Sequence, residues 1–261
     1  MADRQIVIPV YKPYLSGRER QYIDESLDSL WISRGPFVSR FEESFARYHG
    51  GGHATTVSNG TVALHLALAT LGIGPGDEVL VPTLTYIASV NAIAHVGATP
   101  VLVDSLPSTW QLDPEDARRK ITPRTKALLA VHLYGQACEM SEVTRICEDK
   151  GLRLIEDCAE AIGTSYHGRH VGTFGDIATF SFFGNKVITT GEGGMLTSRN
   201  SDLIQKAIHL KGQGVSPTRE YWHDELAFNY RMSNISAAIG LAQLEIADEI
   251  LQKKRRVAEW Y

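Results

Sequence analysis

No sign of charge dominates this sequence: 26 lysines and arginines stand against 30 aspartates and glutamates, for a net charge of −4. That leaves no surplus of basic residues for wrapping nucleic acid. No apolar run is long enough to cross a bilayer, which makes a soluble protein the expectation. Met1 is followed by the polar stretch ADRQ, without the basic start and apolar core of a secretory signal, so a cytoplasmic location is expected. Cysteine is scarce. Cys138, Cys147 and Cys158 are odd in number and form no CxxC, which suggests buried thiols and neither a disulfide framework nor a zinc site. Two nucleotide signatures are missing as well, because GIGPG follows a helical pattern instead of a strand and no GxxxxGK[ST] occurs. His167 and His170 flank Gly168 in a turn with no acidic partner in the motif, so no metal site is expected there.

What is present is a rhythm. At 43% hydrophobic over 261 residues, the chain can bury a substantial core. From residue 53 onward, short β-rich runs alternate with helical patterns: HATTVS, TVALHLALATLG, EVLVP, IASVNAIAHVG, TPVLVD. The alternation continues through a helix at 113–120, KALLAVH, a helix near 139–149, and RLIED. The strands are apolar throughout, as in a mostly parallel α/β sheet covered on both faces. GPGD and YHGR supply turns. Ahead of the sheet, RERQYIDESLDSLW and VSRFEESFARYHG read as two amphipathic helices, with Ile23, Leu27 and Leu30 on one face of the first. At the other end, Ile239, Leu241, Leu244, Ile246 and Ile250 keep helical spacing to a basic KKRR turn that complements the helix dipole. The division that follows is an N-terminal helical segment over 1–50, a large α/β domain over 51–233, and the start of a long helix over 234–261.

In open α/β sheets ligands sit beyond the carboxyl ends of the strands, so the residues just past strands are the ones to interrogate. Three stand out. SNGT at 58–61 offers a cap in Ser58 or Asn59, a close-approach glycine in Gly60, and free N–H groups that can hold a phosphate. Asp157 closes RLIED, and Lys186 follows FSFFGN. Taken singly they are an ordinary helix cap, a turn acid and a surface lysine. Together they supply a phosphate cradle, a carboxylate for a pyridine nitrogen and an amine for an aldehyde, which are the parts pyridoxal phosphate (PLP) needs.

The runs SNGTVALHLAL, GPGDEVLVPTLTYIAS, HLYGQ, IEDCAEAIG, FSFFGNKVITTGEGGM and FNYRMSNISAAIGLAQLE, in this order, resemble the sugar-nucleotide aminotransferases of the DegT/DnrJ/EryC1/StrS family. The resemblance runs from about residue 7 to the end. It implies the PLP-dependent transferase fold type I, aspartate aminotransferase-like, with a mostly parallel central sheet between helices. It also implies Lys186 as the Schiff-base lysine and Asp157 as the partner of the ring nitrogen. Glu160 would reach the ring hydroxyl, Tyr86 would stack on the ring, and Gly60, Thr61 and Ser181 would contact the phosphate. Asn229 would reach the phosphate of a neighbouring subunit, which implies a homodimer with shared active sites. The subgroup most similar to the whole run aminates GDP-4-keto-6-deoxy-D-mannose with L-glutamate to give GDP-perosamine, for O-antigen or lipopolysaccharide biosynthesis. Other readings are an aminotransferase for a 3-keto or a UDP- or dTDP-linked sugar, and a non-catalytic dimerising remnant. Relatives continue into a C-terminal small domain that this sequence lacks, so the expectation is a nearly complete cofactor site and an incomplete substrate wall.

Overall fold

A computed structural model describes residues 9–261. The first eight positions of the expected N-terminal segment, and the start of the resemblance near residue 7, lie outside the described residues. Helices α1 (Arg18–Asp28) and α2 (Pro36–Tyr48) come first. The alternation then runs β1 (His53–Val57), α3 (Gly60–Thr70), β2 (Glu78–Pro82), α4 (Ile87–His95), β3 (Thr99–Val103), α5 (Pro114–Arg119), β4 (Thr125–Val131), α6 (Met140–Lys150) and β5 (Arg153–Asp157). A two-stranded ribbon, β6 (Ser165–Tyr166) and β7 (Arg169–His170), turns through His167 and Gly168, both at positive φ. β8 (Ile177–Ser181), β9 (Gly194–Ser198), α7 (Ser201–Lys211), α8 (Asn234–Glu245) and α9 (Ala247–Glu259) complete the described chain.

Seven strands form one sheet in the order β1-β9-β8-β5-β4-β2-β3. β8, β5, β4, β2 and β3 run parallel to their neighbours in that set, while β9 is antiparallel to both β1 and β8. The alternation of side chains along each strand decides what reaches which face. Val79, Val81, Ala127, Leu129, Ile155 and Ile177 pack on α3, α4 and α7. Leu80, Leu128, Ala130 and Leu154 point the other way, toward α5 and α6. Phe180 and Met195 point there too and meet α2 and α8, where Phe41, Phe45, Phe180 and Phe182 are fully buried. Both faces are therefore apolar, which is why the strands read as unbroken hydrophobic runs.

Two expectations need correction. The face of α1 that packs inward is Glu19, Tyr22 and Ser26, while Leu27 is exposed and Leu30 lies beyond the helix at φ 62°. The cause is polar anchoring: the Tyr22 hydroxyl donates to Glu245 and the Ser26 hydroxyl accepts from Asn234, tying α1 to α8. Those bonds outrank the apolar stripe that includes Ile23. The C-terminal segment is two helices and not a single long one, because it breaks at Ile246, whose φ of −118° leaves the helical range. Leu241, Leu244 and Ile250 still share the buried face across that break.

Candidate active site

A cavity of about 550 Å³ opens at the carboxyl ends of β5 and β8, between them and the starts of α3 and α4. Strand alternation puts Asp157 on the same face as Ile155, and Ser181 on the same face as Ile177. Gly60, Thr61, Tyr86, Asp157, Glu160, Ser181 and Lys186 all line this cavity. Asn229 does not. It is exposed and in a bridge with Gly212.

Asn59, and not Ser58, caps α3: its side chain accepts from the Val62 N–H at 3.0 Å, while the Ser58 N–H donates to the Tyr230 carbonyl. The N–H groups ahead of Val62 are left without helical partners and carry the positive end of the helix dipole. At Gly60 a Cβ would come within 2.8 Å of the Ser181 Cβ, so only glycine lets β8 pass this close to the helix start.

Lys186 stands on the connection between β8 and β9, with its N–H closing a turn on the Phe183 carbonyl. Its Nζ lies 3.5 Å from Glu160 Oε1, and Glu160 Oε2 accepts the Tyr134 N–H at 2.8 Å. Tyr134 itself has φ 56°, in the left-handed region. Asp157 is 5% exposed. Its Oδ1 accepts the Ala159 N–H at 3.0 Å and its Oδ2 accepts the Ser89 hydroxyl at 2.9 Å. Burial pushes the carboxyl above the usual range, opposed by those two hydrogen bonds and by the Lys186 charge.

Two contributors escaped the sequence reading. Glu156, beside Asp157 but on the opposite face, is fully buried and contacts His132 Nε2 at 3.1 Å. Its oxygens also accept the N–H groups of Gly172, Phe174 and Gly175. Burial alone would raise its pKa, but the His132 bond and charge with those N–H groups hold it below the usual range. His132, which burial alone would lower, is held well above its usual value by its bonds to Cys138, Cys158 and Glu156. This pair forms the floor beneath Asp157, since the His132 N–H also donates to the Asp157 carbonyl. The second is Ser89. A period-two reading of RLIED separates Glu156 from Asp157; nothing in the helical pattern of IASVNAIAH marks Ser89.

The family model for the DegT/DnrJ/EryC1/StrS aminotransferases matches residues 13–261. The chain belongs to this family. Among similar proteins of the DegT/DnrJ/EryC1/StrS group are GDP-perosamine synthases from Escherichia coli O157:H7, 57% identical over 97% of this chain, and from Vibrio cholerae, 56% identical over 98%. The chain spans 70% of the length of each. A Streptococcus pneumoniae protein assigned as a sugar aminotransferase and solved in a PLP form superposes with TM-score 0.93. It is 31% identical over 97% of this chain, which spans 70% of that structure. A Psychrobacter cryohalolentis aminotransferase superposes with TM-score 0.86 at 34% identity over 90% of this chain, which spans 63% of that structure.

The cofactor is PLP, the group carried by DegT/DnrJ/EryC1/StrS aminotransferases solved in PLP and PMP forms. The donor set fits it: a side-chain amine, a buried carboxylate, and a helix start kept open by the glycine that a Cβ would fill. Among the described residues, no helix is long and apolar enough to cross a membrane. All three cysteines are buried free thiols.

Proposed function

We propose that the chain is the cofactor-binding core of a cytoplasmic aminotransferase that moves the amino group of L-glutamate to GDP-4-keto-6-deoxy-D-mannose, giving GDP-perosamine. The observation that carries the reading is the convergence of Lys186, Asp157 and the start of α3 on one cavity, and the 57% identity to a GDP-perosamine synthase supports the choice of sugar.

When bound, PLP supplies an aldehyde that takes up nitrogen and a ring that accepts electrons from the substrate carbon. Asp157 holds the proton on the ring nitrogen, a role suited to a carboxylate set in low dielectric and tied on both oxygens. Lys186 Nζ would hold the cofactor's aldehyde carbon at rest and, once displaced by the amine of glutamate, would serve as the base that takes the substrate's α-proton and returns it to that cofactor carbon, moving the proton the opposite way for the sugar. Glu160, fixed by the Tyr134 N–H, holds that amine and reaches the ring hydroxyl. Gly60 and Thr61 N–H groups with the Ser181 hydroxyl hold the phosphate. Tyr86, 73% exposed at the start of α4, covers the ring and keeps water from one side of it.

The substrates are anions, yet the described lining residues set Asp157, Glu160 and Glu192 against Lys186 and His132, and His132 is already paired with Glu156. Polar contacts from outside this cavity are therefore needed, which supports a homodimer in which Asn229 of each subunit reaches the phosphate of the other. Mixing the chain with PLP and L-glutamate, then with the ketosugar, tests the reading. The expected result is stoichiometric 2-oxoglutarate followed by amination of the sugar, both lost in Lys186→Ala by at least about a thousandfold. Transamination retained in Lys186→Ala would overturn it.

A further inference from the structure

We propose that Ser89 is a positioning residue for the cofactor's ring nitrogen, acting through its hydrogen bond to Asp157. The inference rests on the PLP reading above.

Ser89 is 1% exposed, in the first turn of α4. Its Oγ lies 2.9 Å from Asp157 Oδ2 and 3.1 Å from Thr85 Oγ1. An ionised carboxylate only accepts, so the Ser89 proton points at Asp157. The lone pairs of Ser89 are then open to the Thr85 hydroxyl, whose single proton is shared between Ser89 and the Tyr86 carbonyl at 3.3 Å. The direction of the Ser89 bond is thereby set toward Asp157.

The arrangement does two things to Asp157. With Ala159 N–H on one oxygen and Ser89 on the other, the carboxylate plane is pinned, and the remaining lone pairs are those facing the cavity. The charged form is also favoured against burial. Around Asp157 stand Lys186 from the connection after β8, His132 after β4, and Cys158 and Glu160 after β5. Ser89 is the contribution of α4, and its hydroxyl is the side-chain hydrogen bond that opposes the effect of burial on this carboxyl. A neutral Asp157 would pair poorly with a protonated ring nitrogen, so losing the donor weakens the hold on the cofactor and confines it to higher pH.

The test is the PLP dissociation constant across pH for the apo chain, wild type against Ser89→Ala, Ser89→Thr and Ser89→Cys. Ser89→Ala is expected to bind PLP about ten- to a hundredfold more weakly, as for a lost hydrogen bond to a charged group. The pH below which binding falls away is expected to move upward. Ser89→Thr keeps the hydroxyl and restores both. Ser89→Cys, nearly isosteric but a weak donor, falls between, which keeps the test open if the extra methyl of threonine cannot be seated. A wild-type constant in Ser89→Ala, or a weaker constant with an unmoved acid limb, would reduce Ser89 to packing and overturn the proposal. Wild-type chain that binds no PLP at any pH would instead overturn the cofactor reading.

Discussion

His49 has two ring nitrogens, both buried and neither with a hydrogen-bond partner. It stacks on Phe45 and sits edge-on to Phe180, behind the sheet. Burial, helped by the nearby charge of His170, lowers its pKa to about 4. In the unfolded chain the ring takes up its proton near pH 6.5. Between those values the unfolded state binds more protons, so stability is complete above about pH 6.5 and drains away as pH falls toward 4. The shift corresponds to about 3 kcal/mol. Urea midpoints measured from pH 7 to pH 4.5 should fall less steeply for His49→Leu than for wild type. Parallel slopes would show that His49 is not the group taking up the proton. At this scale much of the site was legible. Lys186 and Asp157, each ordinary alone, were marked by standing with SNGT at strand ends, and the structure brings them to one cavity. Ser89 was hidden because its partner lies 68 residues away and its hydroxyl has no periodic signature.

In the proposed function, the start of α3 carries the phosphate site. Gly60 is there for space and not for an unusual backbone angle: its missing Cβ leaves room for Ser181. Gly60→Ala should cost about 1–3 kcal/mol through overpacking, read as a drop in apo melting temperature. It should also weaken PLP binding by about tenfold or more, because the helix start and β8 move apart. Unchanged PLP affinity would mean that phosphate binds elsewhere. The same scale shows why the sequence misled at α1. Hydrophobic periodicity assumes that apolar side chains choose the buried face, but Tyr22 and Ser26 are held inward by hydrogen bonds to Glu245 and Asn234, more than 200 residues along the chain. The β-strands carried no such conflict, since their two apolar faces and their covering helices agree.

For the whole molecule, the decisive question is whether sites are shared. If Asn229 serves the partner's phosphate, a chain carrying Lys186→Ala and one carrying Asn229→Ala are each inactive alone, and mixing after dissociation restores one good site in each mixed dimer. Half the dimers are mixed and half their sites are intact, so about a quarter of wild-type activity is expected, as the symmetry of a two-fold assembly requires. No recovery would place Asn229 in its own chain's chemistry or outside it. The sequence alone could raise this only through resemblance, because a residue exposed in one chain and functional in another leaves no mark in hydrophobic pattern.

The connection that carries Lys186 has a consequence for how the cofactor arrives. Phe182 donates to the Gly193 carbonyl, Thr190 donates back to the Phe182 carbonyl, and Thr189 is tied to Gln243 on α8. The two ends of the stretch from 182 to 193 are thus closed on each other where the pairing of the buried strands β8 and β9 ends, and its second half is tied to α8. Its ordering belongs to folding and not to binding. The empty enzyme should accordingly capture PLP in a single second-order phase, with the bonded amides of Phe182, Thr189 and Thr190 exchanging slowly with deuterium before any cofactor is added.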